Sequence, residues 1–178
     1  MKYGENADDY FRTGMGKGFK LDIQQYLVDD GGSKVYIDGS GMRHKFVPLD
    51  GADGIFYDVD GMGLTLSEEN GEYALSDNAG NKMFFDGGRL VRTVSCHNAQ
   101  LQKIFQYNQS GQLTRAYDSR KPDSSLVFEY DLSTGLLKAL KCMKSTLSKR
   151  SVSFVYDGDG RLTLSLIHIS EPTRPEPI

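Results

Sequence analysis

Tryptophan is absent from this 178-residue chain, and cysteine occurs only twice. Two cysteines supply neither a disulfide framework nor a multi-cysteine zinc site. No apolar run approaches the length of a membrane span, and no charged segment followed by a short apolar one opens the chain. The formal net charge of −3 is too mild for a nucleic-acid footprint or an acidic tail. Proline is scarce as well, and three of the five prolines crowd into the last seven residues. What is plentiful is glycine, at 20, together with 10 tyrosines and 9 phenylalanines. That is the composition of short strands joined by glycine turns. The length fits one ordinary domain or a slice of something larger.

A repeat organises most of the chain. FQYNQSGQLT (105–114), FEYDLSTGLLK (128–138) and FVYDGDGRLT (154–163) align directly. Each reads Phe-x-Tyr, then Asp or Asn, two or three turn residues, Gly, one residue and Leu. Their glycines, Gly111, Gly135 and Gly160, lie 24 and 25 residues apart. Weaker copies lie upstream: Met83-x-Phe85-Asp86 with Gly88-x-Leu90, Tyr73-x-Leu75 with Gly80, Ile55-x-Tyr57-Asp58 with Gly61, and Val35-x-Ile37-Asp38 with Gly41. Such periodicity points to a repeat architecture before any local motif is considered.

One unit can be read physically. Phe105 with Tyr107, Phe128 with Tyr130 and Phe154 with Tyr156 are spaced to share one face of a strand. Asn108, Asp131 and Asp157 end the strand, because a short polar side chain bonds the following backbone and opens a turn. The glycine supplies the positive φ of a tight reversal. Leu113, Leu137 and Leu162 then restart the next strand on its apolar face. Each unit is a β-hairpin, marginal alone and stabilised by stacking on its neighbours. LVRTVSC (90–96) and SVSFVYD (151–157) also read as strands, and Phe19, Leu21 and Ile23 alternate with polar residues in the same way. LLKALKCMKSTLSKR (136–150) lacks a clean helical stripe and reads as two strands around a polar loop. The expected fold class is all-β: stacked antiparallel β-hairpin repeats.

The YDGDGRLT string at 156–163 resembles the YD repeat of the Rhs family and related bacterial wall-associated proteins. GMGKGFKLDIQQYL (14–27) is similar to the lead-in that precedes the repeats in large Gram-positive members, with Phe19 where that family commonly has Trp. YIDGSGMRHKF (36–46) and LSDNAGNKMFFDGGRLV (75–91) share the style of its degenerate early repeats. The likeness covers about residues 3–163. It implies a β-sheet spiral that closes into a hollow shell around a variable C-terminal toxin, which aspartyl self-cleavage releases. The family's Asp-Pro-containing cleavage segment and a toxin domain have no counterpart here. Relatives are far longer, which is compatible with Met1 being an internal methionine.

The final stretch, LSLIHISEPTRPEPI, breaks the rhythm. Leu164–Arg174 is similar to the in-frame translation of a transposon-based sequencing adapter, the alternative being a natural Pro-rich tail. The former reading removes His168 from any catalytic discussion. The expected organisation is a lead-in with a β-strand at 1–32, degenerate repeats at 33–104, regular repeats at 105–163 and a non-native tail at 164–178.

Candidate chemical sites are weak. Asp58, Asp60, Gly63 and Glu69 have the offsets of a calcium-binding EF-hand loop, but Met62 and Leu66 stand where oxygen ligands belong and no helix flanks them. Asp157 and Asp159 lie inside a repeat turn. Gly14, Gly16 and Gly18 lack the ending of a phosphate loop and read as a bend before a Phe19 strand. Cys96 and His97, as strand neighbours, are expected to point to opposite faces, and both cysteines to be buried or half-buried thiols. Lys138, Lys141, Lys144, Lys149 and Arg150 read as solvated loop charges. No catalytic, cofactor or metal residue is assigned. The signature residues are structural: Phe105, Tyr107, Gly111, Leu113, Phe128, Tyr130, Asp131, Gly135, Leu137, Phe154, Tyr156, Asp157, Gly160, Arg161 and Leu162.

The reading is a non-enzymatic wall fragment of a secreted or cell-surface bacterial polymorphic toxin. Its partners would be further repeats and the C-terminal toxin of the same polypeptide, without cofactor, nucleic acid or membrane span. The alternative is a module that binds cell-wall or cell-surface carbohydrate. A slice of such a shell, expressed as residues 1–163, is expected to aggregate through its open strand edge.

Overall fold

The computed structural model describes residues 14–17 and 19–169. Fourteen strands make up the described fold, with no helix among them. They are β1 (Tyr26–Asp30), β2 (Ser33–Ile37), β3 (Arg43–Pro48), β4 (Ile55–Asp58), β5 (Thr65–Glu69), β6 (Glu72–Ser76), β7 (Lys82–Asp86) and β8 (Arg89–Ser95). They continue as β9 (Asn98–Tyr107), β10 (Leu113–Asp118), β11 (Ser124–Tyr130), β12 (Leu137–Lys144), β13 (Leu147–Tyr156) and β14 (Leu162–Ile169). Each strand pairs antiparallel with the next, so sheet order equals chain order. The fold is all-β and built of stacked hairpins.

The sheet does not stay open. Tyr26 of β1 registers with Arg89 of β8, and the Leu27 N–H donates to the Gly88 carbonyl at 2.8 Å. The first eight strands thereby close a ring, and β9–β14 run on outside it. Nearly every strand sends one large apolar side chain to a common core. In chain order these are Leu27, Tyr36, Phe46, Phe56, Leu66, Leu75, Phe85, Leu90, Phe105, Leu113, Phe128 and Leu137. Burying each such side chain stabilises the fold by roughly 1.5–3 kcal/mol. A small second cluster, Tyr26, Val35 and Ile37, sits apart from this core.

The lead-in departs from the expected strand. Phe19 is half-exposed, Leu21 and Ile23 pack against the main core, and the Gln24 N–H donates to the Leu21 carbonyl in a turn at 3.0 Å. The cause is direction: this segment crosses the ends of hairpins instead of lying along a strand. The Asp22 carbonyl abuts Gly39 in the turn between β2 and β3, the Gly14 carbonyl accepts the Leu137 N–H, and the Lys17 N–H donates to the Gly160 carbonyl at 3.0 Å. Met15 is buried in the main core.

Two further expectations change at the far end. The 136–150 stretch does form two strands, but the loop between them is only the Ser145–Thr146 turn, with Ser145 at φ 54°. Lys138, Lys141 and Lys144 therefore lie on β12, and Lys149 and Arg150 on β13, so they are strand residues and not loop charges. Lys141 pairs with Glu129 at 2.6 Å. Strand β14 crosses the Thr163–Leu164 boundary and continues to Ile169, where the sequence rhythm suggested an abrupt stop. Ladder pairing uses backbone groups and tolerates almost any side chain. Leu164, Leu166 and Ile167 are exposed.

Candidate functional site: the seam between hairpins

The regular repeats meet along a seam built from the signature residues. Phe105 and Phe128 are buried in the core, and Tyr107, Tyr130 and Phe154 pack against it half-buried. Each tyrosine hydroxyl then reaches the leucine of the preceding hairpin. Tyr107 Oη donates to the Leu90 carbonyl at 2.7 Å, Tyr130 to Leu113 at 2.9 Å, and Tyr156 to Leu137 at 2.9 Å. Burial pushes the Tyr107 hydroxyl up to about 12, opposed by the nearby Arg89 guanidinium. Burial raises Tyr130 as well, aided by Tyr107 and Tyr156. The tyrosine of the motif is thus a rivet between successive units.

The acidic turn residue caps its own turn. Asp131 Oδ1 accepts the N–H groups of Ser133 and Thr134, both at 2.9 Å, and Asp157 Oδ1 accepts those of Asp159 and Arg161 at 3.0 and 2.8 Å. The Ser133 hydroxyl and these backbone donors hold the Asp131 carboxyl down at about 2. Asn108 does the same for the Gln112 N–H at 2.9 Å. Gly111, Gly135 and Gly160 follow at φ 81°, 70° and 75°, where a Cβ would be strained. Arg161 stays exposed, 3.4 Å from Asp159. Leu113 and Leu137 are fully buried, and Leu162 is intermediate.

Sequence reasoning missed the residue after each leucine. In the hairpins that end at Leu90, Leu113, Leu137 and Leu162, the ladder skips Val91, Thr114, Lys138 and Thr163 respectively. Each is a β-bulge, which bends the strand and increases its twist. Thr114 Oγ1 donates to the Gln106 carbonyl at 3.1 Å, and Thr163 Oγ1 to Val155 at 3.0 Å. A Leu-Thr pair marks only two of the four bulges, at 113–114 and 162–163.

The bulge also corrects the early repeats. The β2–β3 and β4–β5 ladders run without a register shift. There the core takes Tyr36 and Phe56, the middle residues of Val35-x-Ile37 and Ile55-x-Tyr57. Val35 and Ile37 belong to the second cluster, while Ile55 and Tyr57 are exposed. A one-residue slip carries every side chain to the other face, so aligning these copies on Asp alone inverts them.

Gly14 and Gly16 pack against the repeats and do not merely bend the chain. A Cβ at Gly14 would lie 2.7 Å from the Tyr130 ring, and one at Gly16 would meet the Gly160 carbonyl and lie 3.0 Å from the Tyr156 ring. Two lead-in glycines therefore seat on two successive YD turns. Gly18 lies outside the described residues.

The remaining candidates separate into turn chemistry and one pair. Asp58 accepts the Asp60 N–H at 2.9 Å, and Asp60 accepts the Lys45 N–H at 3.0 Å. Glu69 is paired with Lys82 at 2.8 Å, so the three acids face separate partners. Among the described residues no group of three metal-ligating side chains converges. His44 is buried beside Asp38, Nε2 to Oδ2 at 3.0 Å. Burial pushes the Asp38 carboxyl up, but the Ser40 hydroxyl, His44 and the Met42 and Ser40 N–H groups outweigh it and hold it at about 2. Cys96 and His97 do not sit on a strand. They form the turn between β8 and β9, both exposed, with Sγ 3.0 Å from Nδ1. Cys142 is exposed too, correcting the expectation of buried thiols.

A cleft of about 190 Å³ opens at the ring closure beside Gln24, Gln25, Arg89 and Tyr107. It is smaller than most small-molecule sites, roughly 300–1,000 Å³. The Arg89 guanidinium lies over the Tyr107 ring, 5.9 Å from its centre. No helix among the described residues is long and apolar enough to cross a membrane. Compared with known proteins, the chain matches no protein-family model and no curated sequence.

Proposed function

We propose that this chain is wall material: a fragment of an Rhs/YD-repeat shell that encloses and delivers a C-terminal toxin carried by the same secreted or surface polypeptide, with no catalysis of its own. What supports the reading above all is the rivet series Tyr107–Leu90, Tyr130–Leu113 and Tyr156–Leu137, which joins each hairpin to the one before by the same contact. A contact that repeats in step with the sequence can be extended by adding further units. The signature residues are spent on packing, turn caps and inter-unit bonds, as wall residues would be. The carbohydrate-binding alternative has less behind it, since the repeating aromatics face the core.

A long sequencing read through the genomic locus, across the codons for Thr163 and Leu164, tests the proposal. Further YD repeats followed by a distinct C-terminal domain are expected. A stop codon directly after an encoded LSLIHISEPTRPEPI overturns the shell reading. Retention of the chain on a glycan array would then favour the binding module.

A further inference from the structure

The β8–β9 hairpin carries a thiol and an imidazole at its tip, and neither takes part in the seam. Cys96 and His97 are the whole of the turn between Ser95 and Asn98. Neighbouring groups fix its backbone: Asn81 Oδ1 accepts the Cys96 N–H at 3.0 Å, and the Ser95 hydroxyl accepts the His97 N–H at 3.3 Å. The turn swings two adjacent side chains together, Sγ 3.0 Å from Nδ1, where a strand would send them apart. With the neutral ring protonated on Nε2, the thiol donates to Nδ1. A nucleophile within hydrogen-bond reach of a base is the arrangement that activates a thiol, and both groups are exposed to solvent. Cys142 provides the contrast: exposed as well, but placed on β12 in register with Leu126 and Arg150 and not beside an imidazole.

We propose that Cys96, with His97 as its base, is a thiol–disulfide exchange site that takes up low-molecular-weight disulfides at this hairpin tip. The Sγ proton passes to Nδ1, and the sulfur lone pair attacks one sulfur of the incoming disulfide. That S–S bond breaks, and the departing thiolate recovers the proton from Nδ1. One protein thiol and one disulfide become one mixed disulfide and one free thiol, so no further oxidant enters. The product is a reversible cap on the tip, removed by any excess of small thiol.

The full chain incubated with oxidised glutathione, with adducts at Cys96 and Cys142 followed by mass spectrometry, tests this. In the unsubstituted chain Cys96 is expected to react about tenfold faster than Cys142 near neutral pH, the two converging in alkaline solution where thiolates form unaided. His97→Gln should remove most of the neutral-pH advantage while leaving the alkaline rate in place. Cys142→Ser should leave the Cys96 rate unchanged. Equal rates for the two cysteines at neutral pH, or an advantage that survives His97→Gln, would show an ordinary exposed thiol and overturn the proposal. The comparison within the unsubstituted chain needs no variant to fold, and circular dichroism checks the substituted ones.

Discussion

At the scale of single residues, the motif tyrosine acts through its oxygen as much as through its ring. Tyr130→Phe keeps the half-buried ring but deprives the Leu113 carbonyl of its donor. A loss of about 0.5–1.5 kcal/mol in urea unfolding is expected. The same burial sets an alkaline limit. A phenol whose folded value is raised from 10 to about 12, as for Tyr107, contributes stability that is complete below about pH 10 and lost as pH rises toward 12. Tyrosinate absorbance followed alongside the unfolding midpoint should show both changing in that window. The acid side runs the opposite way. Asp38 and Asp131, held at about 2, contribute stability present above about pH 4 and lost as pH falls through 2. Asp131→Ala should flatten that acid dependence, read from midpoints between those limits. The turn caps were legible because aspartate has few other uses directly after an aromatic strand and before glycine. The Cys96–His97 contact was not, because side-chain direction depends on whether two neighbours lie in a strand or in its turn.

At the scale of the hairpin, one skipped residue decides which side of the strand faces inward. The inversion of the early copies makes a sharp contrast between neighbours. Phe56→Ala should cost about 3–5 kcal/mol, as a truncated core aromatic does. Tyr57→Ala, on the exposed face, should stay within about 0.5 kcal/mol. Denaturant midpoints for the two variants measure this, and the reverse order would restore the alignment on Asp58. Hairpins themselves were readable from the sequence, since alternation and glycine turns act locally. Bulges were harder to read, because Val91, Thr114, Lys138 and Thr163 share a position and not a chemistry.

Across the whole molecule, fourteen strands in serial order leave open how many complete a turn, and the repeats alone do not say. Twist accumulated strand by strand sets that number, and here the ring closes at Tyr26 and Arg89 after eight. The lead-in was legible as glycine-rich but not as a strap, since the surfaces that residues 14–17 meet come from more than a hundred residues downstream. Gly16→Ala tests the strap. The added methyl would collide with the Gly160 carbonyl and the Tyr156 ring. Amide exchange at Lys17 and Leu137, whose N–H groups bind across this junction, should accelerate while the β2–β6 amides stay protected. The same strap has a consequence in time. A ribosome releases residues 14–17 more than a hundred residues before Leu137 and Gly160, which hold them. Hairpins can form as they appear, whereas residues 14–17 must wait for the turns before β12 and β14 to dock. Long-range closure of this kind slows folding. During synthesis the seat for Met15 is therefore incomplete until the late hairpins arrive, and that interval is when an early holdase or a neighbouring nascent chain would compete for it.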